Sequence, residues 1–257
     1  MNQSVLVVGF ILLCAGLAAL GARLVRRALP RSVVEASIPA AGAIFATFGV
    51  IYGVILGQVV VAAWESYDAA ESAIASEADS LVSITRLADG LPAAQRDKLQ
   101  EAAIAYGTTV IEQEWPVMQA HGGASPAASA AIDNLYRIIT QLPGDTPQTD
   151  AIADAALGEL DTLDDARGDR IVASTRGMPL LMWITLIIGG ILSVAFTFLL
   201  AVENGWLHVA MVISLTGLIA MMLVLVRGLS QPFSNPIGIS PDSYTTRLAL
   251  MEHESRS

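Results

Sequence analysis

Basic residues are scarce in this chain: 14 Lys and Arg stand against 24 Asp and Glu in 257 residues, a net charge of −10. That balance excludes a nucleic-acid binder, which needs a basic footprint to displace phosphate counterions. Cysteine is nearly absent. Cys14 stands alone inside an apolar run, so neither an intramolecular disulfide nor a thiolate metal site can form. The three histidines, His121, His208 and His253, lie far apart without metal-ligand spacing. No P-loop, GxSxG or HExxH occurs, and the chain reads as a non-enzyme with no cofactor. Charged residues make up 15% of the chain, where ordinary globular domains carry about 25%.

What the chain has instead is apolar length. Hydrophobic residues reach 54% and the mean hydropathy is +0.58. A membrane span needs roughly 20 mostly apolar residues to cross a ~30 Å hydrocarbon core. Residues 5–22, 38–63, 178–202 and 206–226 meet or approach that length, and none of these runs holds a charge. The first run is preceded by MNQS, without the basic residues of a signal peptide, and followed by Arg23, Arg26, Arg27 and Arg31. It is therefore expected to be a retained span. No alternating pattern marks a strand. The expected fold is an all-α integral membrane protein with four transmembrane helices and a helical-bundle insert between the second and third. The expected division is 1–63, 64–177, 178–228 and a tail at 229–257.

Breakers divide the insert. The second span is expected to continue as one helix to Ala88, where Gly90-Leu91-Pro92 makes a turn. A helix then ends at Trp115, because Pro116 turns its predecessor from helical geometry. Ser125-Pro126 reads as an N-cap followed by proline at the first helical position, and Thr146-Pro147 opens the last helix. Apolar stripes at bundle spacing mark the core: Tyr67, Ile74, Leu81 and Ala88; Leu99, Ala103, Tyr106 and Val110; Ala153, Ala156, Leu160 and Leu163. Asp161, Asp165 and Asp169 line an acidic face, with no spacing suited to a metal.

The loop between the first two spans has four Arg against Glu35. Such a loop stays cytoplasmic, which puts residues 64–177 outside a bacterial plasma membrane. If the helices leaving and re-entering the bilayer near Ala63 and Met178 are antiparallel, facing residue numbers sum to about 241 at ~1.5 Å rise per residue. That register pairs Glu71 with Arg170 or Arg167, and Glu65 with Arg176.

The second span holds Gly42, Gly49, Gly53 and Gly57, small residues at a spacing that lets helices approach closely in lipid. Phe45, Phe48, Tyr52 and Leu56 share another face, about a quarter turn away. Gln58 is the one strongly polar side chain deep in the run. The first face is expected to pack helices, within or between subunits. The second is a candidate hydrophobic pore lining.

Several motifs in order resemble the bacterial bestrophin-like domain family: YGVILGQVVVAAWE at 52–65, EWP at 114–116, ARGDR at 166–170, PLLMW at 179–183 and QPF at 231–233. The last departs from the family pattern, which leads into Pro-Phe with an acid and a basic residue and follows with glycine. Here Ser230-Gln231 precede Pro232, and Ser234-Asn235 follow Phe233. The resemblance implies kinship to bestrophins, pentameric anion channels with an apolar neck on the second transmembrane helix and a cytosolic domain. It makes Phe45, Phe48 and Tyr52 neck candidates, while its orientation opposes the one the arginines indicate. The expected function is an oligomeric membrane protein, a candidate anion channel built around the second span. The alternative is a non-conducting protein whose bundle binds a partner or senses envelope conditions. The expected partners are the lipid bilayer and further copies of the chain.

Overall fold

The computed structural model describes residues 3–28, 31–144, 146–198, 205–234 and 238–254; within these, the side chains of 26–41 and a few terminal positions are outside the description. Of the first loop's charges only Arg23 is described, and it is exposed. Arg26, Arg27, Arg31 and Glu35 lie outside the described side chains, as does the turn at 199–204. The described residues are all-helical, with no strand. The elements are α1 (Gln3–Ala28), α2 (Arg31–Ala88), α3 (Ala93–Thr109), a π-helical turn (Val110–Glu114), α4 (Trp115–Ala120), α5 (Pro126–Thr140), α6 (Pro147–Thr175), α7 (Leu180–Phe198), α8 (Gly205–Leu229) and α9 (Asp242–Glu254). Among the described residues, four helices are long and apolar enough to cross a membrane: α1, α2, α7 and α8.

The chain divides into two compact units. One comprises Met1–Glu65 and Met178–Ser230, the other Ser66–Gly177 and Gln231–Ser257. The C-terminal segment is thus part of the second unit rather than a separate tail. In the first unit, Ala18 and Ala22 of α1 pack on Val212 of α8, and Val59 of α2 packs on Leu186 and Val226. Most other large apolar side chains of these helices are exposed, including Leu13, Val54, Ile188 and Trp206. Such a surface is stable only against lipid or protein.

In the second unit the apolar stripes form one core, from Ile74, Leu81 and Ile84 through Leu99 and Tyr106 to Leu160 and Leu163. The capping residues act as the sequence suggests. Ser125 Oγ accepts from the Ala127 amide at 3.3 Å, and Thr146 Oγ1 from the Thr149 amide at 3.2 Å. Gly122 adopts φ +71°, and a Cβ there would lie 2.8 Å from the Ser174 carbonyl oxygen.

Pro116 does not end its helix. The chain passes from α3 through the π turn into α4, with Trp115 and Pro116 in the first turn of α4. A proline removes one helical N–H and clashes with the carbonyl four residues earlier. One widened π turn immediately upstream relieves that clash, so the helix continues.

Candidate functional site

The second unit contains a buried ionic cluster. Glu77 extends α2's core stripe, spaced three residues after Ile74 and four before Leu81. Arg167 and Arg170 extend α6's stripe beyond Leu160 and Leu163. Glu114 closes the π turn. Glu77, Glu114 and Arg170 are all 0% exposed and Arg167 is 6%. Arg170 donates from Nε to Glu77 Oε2 at 2.5 Å and from Nη2 to Glu77 Oε1 at 2.9 Å and Glu114 Oε2 at 2.7 Å. Arg167 donates from Nη2 to Glu114 Oε1 at 2.7 Å and from Nε to Glu114 Oε2 at 3.3 Å. Two carboxylates and two guanidiniums cancel, which is the condition for burying charge at all.

Every helix of this unit reaches the cluster. The hydroxyls of Tyr106 (α3) and Tyr244 (α9) donate to Glu77 Oε1 at 2.6 and 3.2 Å. Ser125, the α5 cap, donates its amide to Glu114 Oε1 at 3.0 Å, and Ser129 Oγ accepts from Arg167 Nη2 at 3.0 Å. Met118 Sδ of α4 lies 3.1 Å from Arg170 Nη1. Beside it, Trp115 meets Phe233 edge to face, with ring centroids 5.6 Å apart. Three of the sequence motifs, EWP, ARGDR and QPF, therefore converge here.

The electrostatics follow from this geometry. Burial alone would raise the Glu114 carboxyl, but hydrogen bonds from Arg167 and the charge of Arg170 bring it below the usual carboxylate range. Burial would lower Arg170; Glu77 and Glu114 hold it well above its ordinary value. Burial first, then the Glu77 charge, pushes both Tyr106 and Tyr244 well up. All four groups stay in one protonation state near neutrality. The cluster is a fixed, saturated lock, unsuited to moving a proton.

The expected ion pairs are corrected here. Arg170 pairs with Glu77 and Glu114, and Arg167 with Glu114; Glu71 is exposed and makes no ion pair among the described residues. The facing numbers of Glu77 and Arg170 exceed the expected sum by six. The cause is that 176–179 are not helical. The expected sum took the returning helix as regular at ~1.5 Å per residue as far as its anchor, and these residues break that regularity. The other expected pair, Glu65 with Arg176, straddles the two units, and both residues are exposed. Neither Glu77 nor Glu114 was given an ion pair by the sequence reading, which chose Glu71, although Glu77 interrupts an otherwise apolar stripe. Asp161, Asp165 and Asp169 are exposed, Asp161 accepts from Tyr136 Oη at 2.8 Å, and no metal-holding group occurs among the described residues.

In the first unit, α2 presents three kinds of surface. Its aromatic face turns toward α7. Tyr52 is buried, its hydroxyl donates to the Leu186 carbonyl at 3.1 Å, and a Cβ on Gly189 would fall 2.4 Å from its ring. Phe48 and Phe45 are half-buried against Phe196, with centroids 5.8 and 6.1 Å apart, and Leu56 is half-buried near Val59 and Leu186. Tyr52 thus serves packing within the chain. The glycine face is open: a Cβ added at Gly42, Gly49, Gly53 or Gly57 would meet nothing within 4 Å. A third face, carrying Gln58, is exposed.

A chain whose described residues are all-helical and include helices long and apolar enough to cross a membrane is an integral membrane protein. It belongs to the Bestrophin-like domain family, whose pattern matches residues 12–244. No curated protein matches it. Its fold is similar to the crystal structure of a bacterial bestrophin homologue from Klebsiella pneumoniae, with TM-score 0.71 and 14% identity over 96% of this chain and 99% of that one. A single-substitution form of that homologue gives TM-score 0.70 and 15% identity, covering 95% and 97%. A further crystal structure, described as that of a membrane protein, gives TM-score 0.75 and 14% identity, covering 96% and 99%.

Proposed function

We propose that this protein is an ion channel of bestrophin type in a bacterial plasma membrane, assembled from several copies around α2. The observation that carries the reading is the surface of α2 within the apolar run. A Cβ added at Gly49, Gly53 or Gly57 would meet nothing within 4 Å among the described residues, and Gln58 is exposed on a helix otherwise suited to lipid. Glycines at this spacing suit close helix approach in a bilayer, and a strongly polar side chain there needs protein or water beside it. Further copies of the chain supply both. Anion passage, which the family resemblance implies, is the first case to test. The arginines between α1 and α2 favour an extracytoplasmic 64–177 domain.

The test is purification in detergent with a mass measurement on the particle, followed by recording in planar bilayers. Unitary currents from an oligomeric particle are the expected result. A monomer that never conducts would favour the alternative, in which the domain at 64–177 binds a partner through an exposed surface such as the acidic face of α6.

A further inference from the structure

Resting on the channel reading, we infer that the ion path follows the Ile51–Val54–Gln58–Glu65 face of α2, not its aromatic face, and that a ring of Glu65 carboxylates makes the path favour cations.

The geometry begins with what α2 has already committed. At about 100° per residue, Phe45, Tyr52, Leu56 and Val59 share the sector turned to α7 and α8, where Tyr52 and Val59 are buried. Gly42, Gly49, Gly53 and Gly57, with Ala46 among them, occupy a second sector, where a Cβ added at any of the four glycines would meet nothing within 4 Å among the described residues. The third sector carries Thr47, Ile51, Val54, Gln58, Val61 and Glu65, spaced four and three residues apart, and every one is exposed. Ile51, Gln58 and Glu65 follow each other at seven-residue steps, so they form one line along the helix.

Two of these sectors are unpartnered in the chain, and their chemistry differs. The glycine sector suits a neighbouring helix at close range. The third sector cannot face lipid throughout, because a primary amide there would have no hydrogen-bond partner. Packed against one helix, it would bring Gln58 and Glu65 of two copies near each other. Arranged around an axis, with each glycine sector on the next copy, it gives every amide and carboxylate access to water. Ile51 and Val54 then form a narrow apolar segment, bounded on one side by the amides of Gln58 and beyond them by the carboxylates of Glu65.

Charge on α2 points one way. From residue 42 to residue 85 there is no Lys or Arg, while Glu65, Asp68 and Glu71 are exposed. A ring of carboxylates raises the local cation concentration and repels anions, the arrangement used by cation-selective pores. Because the carboxylates are exposed, their influence reaches only about a Debye length, ~10 Å at 0.1 M salt. Selectivity should therefore weaken as salt rises.

Two measurements test this. In membranes carrying the Cys14→Ser chain, Val54→Cys and Gln58→Cys should react with a water-soluble, membrane-impermeant methanethiosulfonate, and Phe45→Cys should not. Reaction at Phe45→Cys with both others silent would overturn the path assignment. In planar bilayers under a KCl gradient, the wild-type reversal potential should have the cation sign. Glu65→Gln should move it toward zero, and Glu65→Lys should carry it through zero. Anion-selective currents, or a potential indifferent to both substitutions, would overturn the cation assignment and leave the channel reading standing. Absence of current together with absence of labelling at Val54→Cys and Gln58→Cys would remove the channel reading itself.

Discussion

Glu77 and Arg170 form a two-pronged ion pair between α2 and α6, at 2.5 and 2.9 Å, and neither side chain is exposed at all. Removing the arginine would leave two buried carboxylates without their shared cation. Breaking a buried pair from one side costs about 3–5 kcal/mol. Arg170→Leu is therefore expected to lower the unfolding free energy of the second unit by that amount, read by denaturant titration in detergent. The double variant Glu77→Leu/Arg170→Leu should be less destabilised than the sum of its parts, since the apolar pair matches the surrounding core. Strict additivity would mean the two do not act together.

Glu114 gives the cluster an acid limit. Its folded pKa lies below that of the unfolded chain, which is about 4.3 for a glutamate. Its contribution is thus fully present above the unfolded value and is lost as pH falls through the folded one. Thermal stability should be flat from neutrality down to about pH 5 as far as this group is concerned, then drop. Glu114→Gln should be less stable at neutral pH but lose less on acidification. A parallel loss in both proteins would assign the acid sensitivity to other carboxyls.

Tyr52 and Gly189 are complementary. The ring occupies the space that a Cβ on Gly189 would need, so Gly189→Ala forces a shift between α2 and α7. Overpacking of this kind costs about 1–3 kcal/mol. Tyr52→Ala should be destabilising alone yet should relieve much of the cost of Gly189→Ala, which thermal unfolding of the four proteins would show. If Gly189→Ala were as costly without the ring as with it, the contact would not govern this helix pair.

Gly53 separates packing within a chain from packing between chains. Among the described residues nothing beyond its own helix lies within 4 Å of an added Cβ, so Gly53→Leu should preserve the secondary structure and fold of one copy. It should reduce or abolish the oligomer, measured as particle mass in detergent. A variant with the wild-type mass and melting temperature would place this face against lipid.

Orientation has its own test. Alkaline phosphatase fused after Leu91 should be active in a bacterial host, and a fusion after Arg31 should not, if the arginine-rich loop stays inside. The reverse pattern would put the helical domain in the cytosol.

Much of the fold was legible because its signals are local. Ser125-Pro126 and Thr146-Pro147 fix helix starts within a few residues, and stripes such as Leu99, Ala103 and Tyr106 announce a core by periodicity. Pro116 misled because its effect depends on the preceding turn, which had the freedom to widen. The ionic cluster was half legible. Arg167 on an apolar stripe does predict a buried carboxylate, but choosing between Glu71 and Glu77 required the register of α2 against α6. Stripe membership held the answer: Glu77 continues the line of Ala70, Ile74, Leu81 and Ile84, all buried, while Glu71 is exposed. The division of α2 into three faces was harder to read. Aromatics suit a pore lining and a helix interface equally well, and only the Gly189–Gly190 recess on α7 shows which role Tyr52 fills.

The ionic cluster also sets an order of events during synthesis. Glu77 leaves the ribosome 93 residues ahead of Arg170 and 167 residues ahead of Tyr244. At about 5–20 residues per second, its carboxylate waits on the order of 5–20 s for its arginine, and longer for the second tyrosine. During that interval the acid on α2 lacks the guanidinium that neutralises it in the folded unit, and burying it unpaired would be costly. The arrival of α6 supplies that guanidinium, and α9 completes the cluster after α7 and α8 have been made. The α9 contact with Glu77 can therefore form only after the last two membrane-length helices exist, so the final hydrogen bond of the cluster waits on the membrane unit.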